Sequence, residues 1–236
     1  MITLYQYEAS PFCDKIRRVL NYKGLQFNTV DYSIADTAKG ALKKHNSIGK
    51  VPIIKAHGIY LGDSTEIAKF IEKKHPEPAL LPNGPKEKAM VHILEDWADE
   101  SLYFTEMYLR FNIAENRKAL IPELTKHDGS ALQMLAPLAI PVAMKKILNN
   151  QGIGRKALPQ VLADLKRHVT AIESWLGNGD WLVGKHITLA DISVFSQLNC
   201  INQTPEGSDL IDEIPTVKTW LERTAETTEQ KESVAA

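Results

Sequence analysis

The chain has 236 residues, enough to bury a hydrophobic core and to form one or two domains. Its formal net charge is −1 and 24% of its residues are charged, so binding to nucleic acid or another polyanion is disfavoured as a main role. No apolar run approaches the roughly 20 residues of a membrane helix, and we expect a cytoplasmic protein that does not act at a membrane. Cys13 and Cys200 are the only cysteines, too few for a disulfide scaffold or a zinc site, so no metal is expected.

The N-terminal third alternates strands and helices. Apolar alternation and turn residues predict the order β-α-β-α-β-β-α, with a hairpin at His57-Gly58. A strand, a crossover helix and a second strand imply a parallel pair, and the whole order is the one expected of a thioredoxin-like α/β domain. The predicted strands are 2–7, 27–32, 51–56 and 59–61, and the predicted helices are 11–20, 38–45 and one carrying Ile67, Phe70 and Ile71.

A proline-rich stretch divides the chain into two predicted domains. Breakers crowd residues 78–85, which we interpret as a linker between a domain at 1–77 and a domain at 86–236. Strand patterns disappear beyond the linker, so the second domain is predicted to be all-helical. Its predicted helices are one long helix from Met90 to Phe111, then 158–177, 188–201 and 215–227. Residues 113–155 contain three prolines and favour several short or kinked helices, and residues 226–236 are typical of a frayed tail.

Ser10-Pro11-Phe12-Cys13 stands where the first strand ends and the first helix begins. Serine is a preferred helix cap, and proline suits the first helical position. The apolar residues that follow share one helix face, and Lys15, Arg17 and Arg18 are predicted to stay outside. The positive end of the helix dipole therefore faces Ser10 and Cys13, as it does where proteins hold thiolates. A structural cap alone explains the same residues.

Val51-Pro52 stands at the start of the third strand, beside Lys50. Proline removes a ladder donor, so one interpretation is the beginning of an edge strand. The other is a cis peptide that turns the Val51 backbone outward, where it can pair with an extended, peptide-like ligand. Lys50 is then available to meet a carboxylate.

Two acidic caps occur further along the chain. Asp63 and Glu66 form an acidic variant of the capping box around Ser64. That structural role is sufficient, but the same groups suit a ligand with an α-carboxylate, held by Ser64, and an α-ammonium, held by Asp63. Thr188 and Asp191 repeat the cap in an apolar helix, and we assign that pair to folding.

Together these motifs resemble the cytosolic glutathione transferases over nearly the full length. The resemblance implies a thioredoxin-like domain that binds glutathione as co-substrate, an all-helical domain that supplies most of the electrophile pocket, a homodimer and a role in detoxification. It also implies the function of single residues. Ser10 is expected at the glutathione sulfur, Lys50 at the glycyl carboxylate, the Val51 backbone beside a cis Pro52 as a clamp, and Asp63 with Ser64 at the γ-glutamyl group.

The leading hypothesis is a transferase in which Ser10 donates a hydrogen bond to the glutathione thiolate. The thiolate then attacks a small, apolar electrophile. Tyr103 and Met107, one turn apart on the long helix, are the candidate acceptor-site residues, with plain packing as the alternative for both.

Three alternatives stay open at the level of sequence. The Ser10 motif is what a dithiol motif leaves when its first cysteine becomes serine, so glutathione-dependent thiol transfer through Cys13 is a second enzymatic hypothesis. A non-catalytic binding or regulatory protein on the same fold is a third. Tyr5 and Tyr7 are alternative partners for the sulfur, because some glutathione transferases use a tyrosine near the end of the first strand.

Overall fold

A four-stranded mixed sheet forms the N-terminal part of the computed structural model, which describes residues 1–230. The first strand pairs parallel with the second and antiparallel with the third, which in turn pairs antiparallel with the fourth. The predicted parallel pair and hairpin are therefore confirmed. His57 and Gly58 have φ values of 50° and 81°, which a tight hairpin turn requires. The strands are β1 (Ile2–Gln6), β2 (Phe27–Asp31), β3 (Ile53–Ala56) and β4 (Ile59–Gly62), in the spatial order β2-β1-β3-β4.

Three helices accompany the sheet: α1 (Pro11–Tyr22), α2 (Ile34–Ala38) and α3 (Ser64–Lys74). The helix predicted at 38–45 is wrong in place. Ser33 caps α2 by accepting a hydrogen bond from the N–H of Asp36 at 3.0 Å, so this helix begins earlier than predicted. Gly40, with φ of 79°, then separates it from a 3₁₀ turn at Ala41–Lys44.

The rest of the described chain is helical, as predicted. The long helix predicted from Met90 to Phe111 consists of two helices joined by a π-helical turn at Ala98–Leu102. The helix at Pro205–Asp212 was not predicted from the sequence. Thr204 caps it and Pro205 is its first residue, which is a recognised pattern for the start of a helix. The helices are α4 (Pro85–Trp97), α5 (Tyr103–Asn112), α6 (Ala114–Thr125), α7 (Ser130–Gln151), α8 (Leu158–Leu176), α9 (Leu189–Asn202), α10 (Pro205–Asp212) and α11 (Pro215–Thr227).

The proline-containing segment forms α6 and α7, followed by a short 3₁₀ turn. Two of its prolines, Pro137 and Pro141, lie inside α7, which nevertheless continues for 22 residues. By length and composition alone α7 could cross a membrane, so the expectation that no apolar run is long enough is wrong for this helix. In the structure it packs against α5 and α6. At the C-terminus, α11 reaches Thr227, so the predicted tail begins inside a helix, and residues 231–236 lie outside the described part.

Helix α9 is buried along nearly its whole length and packs against α1 as well as α4 and α5. Its predicted cap is confirmed. The Asp191 carboxylate is fully buried and accepts four hydrogen bonds, from Leu182 N, Thr188 N, Thr188 Oγ1 and Trp220 Nε1, at 2.8 to 3.1 Å. The core of the helical region therefore directly supports the helix whose first residues carry the Ser10 motif.

Candidate active site

A cavity of about 420 Å³ opens between the sheet and the first helices of the all-helical region. Its walls come from the turn before α1, the segment before β3, the start of α3 and the helix running from α4 into α5. Seven residues expected in the site from the sequence line it, whereas Cys13 and Met107 do not. The seven are Ser10, Lys50, Val51, Pro52, Asp63, Ser64 and Tyr103.

Ser10 is the cap of α1 and lines the cavity. Its Oγ accepts a hydrogen bond from the N–H of Cys13 at 3.4 Å, and its own N–H donates to the Tyr7 carbonyl at 3.1 Å. Since Oγ is the acceptor in the capping bond, its hydroxyl proton remains available to donate to a ligand. The N-terminal end of α1 directs its partial positive charge to the same place.

Cys13 is fully buried beneath the Ser10 cap. Burial raises the pKa of its thiol to about 11. A thiol with that pKa is almost entirely protonated at neutral pH and is a poor nucleophile. Cys13 therefore packs under the site and does not line it.

The two tyrosines at the end of β1 have different environments. Tyr7 lines the cavity, but its hydroxyl is hydrogen-bonded to the Thr37 hydroxyl on α2, and its pKa is raised, chiefly by burial. Tyr5 is stacked on His45, with ring centroids 5.3 Å apart, and is not a lining residue. Of these two tyrosines, only Tyr7 has access to a ligand in the cavity.

The peptide bond between Val51 and Pro52 is cis. It precedes Ile53, the first residue of β3 paired with β1, so the Val51 N–H and C=O lie outside the ladder. Because β3 lies between β1 and β4, the interpretation of Pro52 as the start of an edge strand is wrong. Lys50 lines the cavity beside this peptide.

Asp63 and Ser64 stand at the start of α3, where both line the cavity. Asp63 has a φ of 77°, which is uncommon for a residue other than glycine, and its Oδ1 accepts from the N–H groups of Thr65 and Glu66 at 3.0 and 3.1 Å. The predicted reciprocal arm of the capping box is replaced, because the Glu66 carboxylate pairs with Lys69 at 2.9 Å. Ser64 is buried, with its Oγ 3.5 Å from Asp99 Oδ2.

A buried charge cluster missed by the sequence analysis adjoins the Ser64 end of the cavity. Lys15 of α1 was expected outside, but it is 1% exposed, and its Nζ lies 2.6 Å from Glu95 Oε1 and 2.7 Å from Asp99 Oδ2. The sequence signal was the spacing of Glu95 and Asp99 by four residues, which places both on one helix face. Two carboxylates and one ammonium give the cluster one excess negative charge.

Asp99 lines the cavity, and its Oδ1 is buried with no hydrogen-bond partner among residues 1–230. Burial raises the pKa of this carboxyl to about 6, and the nearby Glu95 and Asp63 add to the shift while Lys15 opposes it. A buried, unpaired carboxylate oxygen is costly unless a donor reaches it. The geometry is suited to an ammonium or N–H group of a ligand in the cavity.

Tyr103 of α5 lines the cavity, where its ring meets that of Phe12 edge-on with centroids 4.8 Å apart. Burial raises the pKa of its hydroxyl, so the side chain stays neutral. Met107, one turn later, is 4% exposed and belongs to the hydrophobic core. Phe12, Tyr103 and Phe104 therefore contribute aromatic rings to the apolar lining of the cavity, which also includes the aliphatic side chains of Leu42 and Ile48.

Sequence profiles of known families match both parts of the chain. The profile of the glutathione S-transferase N-terminal domain matches residues 4–79, and that of the glutathione S-transferase C-terminal domain matches residues 143–232. Together they cover well over half of the sequence. The chain belongs to the glutathione S-transferase family. The predictions of this fold and of a glutathione transferase enzyme are confirmed.

Individual relatives match this glutathione transferase over most of both chains. The isoprene-epoxide glutathione S-transferase of Rhodococcus sp. is 24% identical, over 94% of this chain and 97% of its own. The protein LigF of Sphingobium sp. is 27% identical, over 94% and 89%. The crystal structure of a glutathione S-transferase of Methylobacterium radiotolerans in complex with glutathione sulfonate superposes with a TM-score of 0.62 and 21% identity, covering 100% of this chain and 98% of that one.

Residues 80–142 lie between the two matched ranges. This segment carries α4, α5, α6 and the first half of α7. It contributes Asp99 and Tyr103 to the cavity of this glutathione transferase. Part of the site is thus built from residues that neither profile describes.

Proposed function

We propose that this glutathione transferase activates the thiol of glutathione in the cavity described above, with Ser10 as the partner of the sulfur. The observation that carries the proposal is the position of the Ser10 hydroxyl, which lines the cavity at the N-terminus of α1 and does not use its proton for the cap. The hydroxyl donates a hydrogen bond to the thiolate, and the helix end adds positive potential. The bound glutathione sulfonate in the Methylobacterium protein supports a glutathione site on this fold.

The energy of this interaction is sufficient for activation. A free thiol, with a pKa of about 8.5, is only a few per cent ionised at pH 7. One charge-assisted hydrogen bond, of about 1.5 to 3 kcal/mol, lowers that pKa by roughly one to two units at about 1.36 kcal/mol per unit. The pKa of the bound thiol then lies at about 6.5 to 7.5, so about a quarter to about three quarters of it is ionised at pH 7. Tyr7 is a weaker candidate because its hydroxyl is already bonded to Thr37.

The other lining residues support an extended orientation of glutathione. We propose that the Val51 backbone beside the cis peptide pairs with the middle of the tripeptide, that Pro52 shapes this turn, and that Lys50 meets the glycyl carboxylate. Ser64 receives the γ-glutamyl carboxylate at the start of α3. All of these groups line the cavity together with Ser10.

Two acids are available for the α-ammonium of the γ-glutamyl group. Asp63 was expected there, but its Oδ1 already accepts two backbone N–H groups as the cap of α3. Asp99 has a buried oxygen without a partner. We propose that both carboxylates face the ammonium and that Asp99 forms the stronger bond, since its oxygen is otherwise unsatisfied.

The reaction proposed is attack of the thiolate on a small, apolar electrophile beside the ring wall of Phe12 and Tyr103. The thiol proton is lost to solvent, and a sulfur electron pair forms a bond to carbon. The bond from that carbon to a leaving group, or to the oxygen of an epoxide, then breaks. The leaving group or the epoxide oxygen keeps the electron pair of that bond, and water protonates the released oxygen. The Rhodococcus relative is named for isoprene epoxide, which supports an electrophile of this size. A role in detoxification is part of the same proposal.

Neither of the other two functions has an observation in its favour. Thiol transfer through Cys13 requires an accessible thiolate, and Cys13 is buried with a raised pKa. For a non-catalytic binding protein the cap of α1 is a sufficient role for Ser10, and the structure adds no feature that favours this function.

We propose that the protein is a homodimer that uses the outer face of α7. Met134, Leu138 and Val142 on this face are 75%, 73% and 71% exposed. Together they form an exposed apolar stripe, which is typical of an interaction surface. If two copies of α7 cross antiparallel at Leu138, each covers the apolar stripe of the other. At about 1.5 Å per residue, the Lys145 side chains of the two copies then lie about 20 Å apart, so their like charges are well separated. Sedimentation should give a dimer, and Leu138→Glu a monomer. A monomeric wild-type protein would reject the proposal.

We also propose a cytoplasmic protein with glutathione as its only co-substrate and no metal. Cys13 and Cys200 are buried free thiols, which suits a reducing compartment. Within residues 1–230, no three histidine, cysteine, aspartate or glutamate side chains approach closely enough to hold a metal ion.

Calorimetric titration with glutathione, followed by turnover of an aryl halide, tests the function as a whole. We expect saturable binding at or below millimolar glutathione and turnover that Ser10→Ala reduces while Cys13→Ser preserves. Binding without turnover of any electrophile would favour the non-catalytic role. Turnover lost in Cys13→Ser but kept in Ser10→Ala would favour thiol chemistry through Cys13.

A further inference from the structure

Arg110 of α5 reaches across from the helical region to the loop that carries Ser10. Its Nη1 and Nη2 both donate to the carbonyl of Ala9 at 3.1 Å. The guanidinium is buried and also pairs with Glu106, one turn earlier on the same helix. Ala9 immediately precedes Ser10, so a side chain outside the thioredoxin-like part contacts the peptide next to the proposed active-site serine.

That peptide is fixed at both of its polar atoms. The Ala9 carbonyl and the Ser10 N–H belong to one planar unit. Arg110 holds the oxygen, and the Tyr7 carbonyl accepts from the nitrogen at 3.1 Å. The preceding carbonyl, of Glu8, accepts from Arg17 of α1 at 3.0 Å. Of these contacts, only the one from Arg110 comes from outside the loop and α1.

We propose that Arg110 is a positioning residue for Ser10: by holding the Ala9 carbonyl, it orients the peptide plane and therefore the direction of the Ser10 hydroxyl. The inference rests on the proposed function of Ser10. The forked guanidinium suits this task because two donors on one oxygen restrict rotation as well as distance. Catalytic hydrogen bonds depend on such orientation, since a displacement of about 1 Å can reduce turnover by about 100-fold.

The charge of Arg110 is a rival explanation for any effect on the sulfur. Glu106 is 1% exposed and forms an ion pair with the guanidinium, so the pair as a whole carries little net charge. Orientation is the effect that remains. Two variants separate the explanations: Arg110→Lys keeps the charge but loses the forked contact, and Ser10→Ala removes the hydroxyl that Arg110 would orient.

The test is the pKa of the glutathione thiol bound to Arg110→Lys, read from thiolate absorbance, with kcat and KM for glutathione. Lysine keeps the charge and loses the fork. We expect the thiol pKa to rise by about half a unit to one unit, kcat/KM below that pKa to fall about three- to tenfold, and KM to stay within about twofold. The matched control is Arg117→Lys, because Arg117 donates to the Phe111 carbonyl at 2.7 Å without touching the Ser10 loop. An unchanged thiol pKa in Arg110→Lys would overturn the inference.

Two further variants keep the result interpretable. If Arg110→Lys does not fold, Glu106→Gln combined with Arg110→Met removes both charges and leaves no unpaired buried ion, and the same rise in pKa is expected. In a Ser10→Ala background, Arg110→Lys should produce no additional rise, because nothing is left to orient. An additional rise would mean that Arg110 acts on the thiol by a route other than Ser10, and it would overturn the inference. If Ser10→Ala itself leaves the pKa unchanged, the proposed function of Ser10 fails, whatever Arg110 does.

Discussion

Lys15 Nζ and Asp99 Oδ2 lie 2.7 Å apart, joining the helix that begins at Ser10 to the π-helical turn that follows α4. The second oxygen of Asp99 is buried at the cavity without a partner. The pair therefore links the packing of the two parts of the chain to the group that we propose for the γ-glutamyl ammonium.

Asp99→Asn should weaken glutathione binding more than it slows turnover. Asparagine keeps the shape but removes the negative charge opposite the γ-glutamyl ammonium, a charge-assisted bond of about 1.5 to 3 kcal/mol. We expect the Kd for glutathione to rise by at least about tenfold in calorimetry, and kcat at saturating glutathione to change by less than about threefold. A glutathione analogue without the α-amino group should bind wild type and variant equally. An unchanged Kd would leave Asp63 alone at the ammonium.

Asp99 should also give the stability of the ligand-free protein a specific pH dependence. Its folded pKa is about 6, against about 3.8 for the unfolded chain, so the folded state binds the extra proton between these values. The stabilisation is complete below about pH 3.8 and is lost as the pH rises through about 6. Urea unfolding from pH 4 to 7 should show this loss in the wild type, on the order of 2 to 3 kcal/mol, relative to Asp99→Asn. Parallel curves for the two proteins would contradict the raised pKa.

Neither cysteine thiol should react with a disulfide reagent in the native state. Burial raises the pKa of Cys13 to about 11 and that of Cys200 to about 12. At pH 8 the thiolate fraction of Cys13 is then on the order of 0.1%, and the sulfur is covered as well. We expect almost no reaction on the folded chain and two thiols per chain in guanidinium. One rapidly reacting thiol on the folded protein, lost in Cys13→Ser, would revive thiol transfer.

Local signals made much of the candidate site predictable. Ser10 caps a helix, Asp63 caps another, and Val51-Pro52 adjoins the start of a strand, and each of these features is written in a few consecutive residues. The same holds for the hairpin between β3 and β4 and for the buried Thr188–Asp191 cap. Caps and turns are set by nearest neighbours, so sequence spacing was sufficient to find them.

The missed features depend on contacts between distant parts of the chain. Lys15 was expected to lie outside the apolar face of α1, yet two carboxylates some 80 residues away pair with it and make its burial possible. Asp99 and Arg110 gain their roles only from how α4 and α5 pack on the Ser10 loop. Both lie in residues 80–142, between the two family profiles, where no familiar motif was available.

The most direct test of the central claim is the pKa of the glutathione thiol bound to wild type and Ser10→Ala, titrated by thiolate absorbance, with Ser10→Thr as the variant that keeps the hydroxyl. Our account predicts that Ser10→Ala raises the pKa by about one to two units, that Ser10→Thr recovers most of the difference, and that the Kd for glutathione changes little. An unchanged pKa in Ser10→Ala would contradict it.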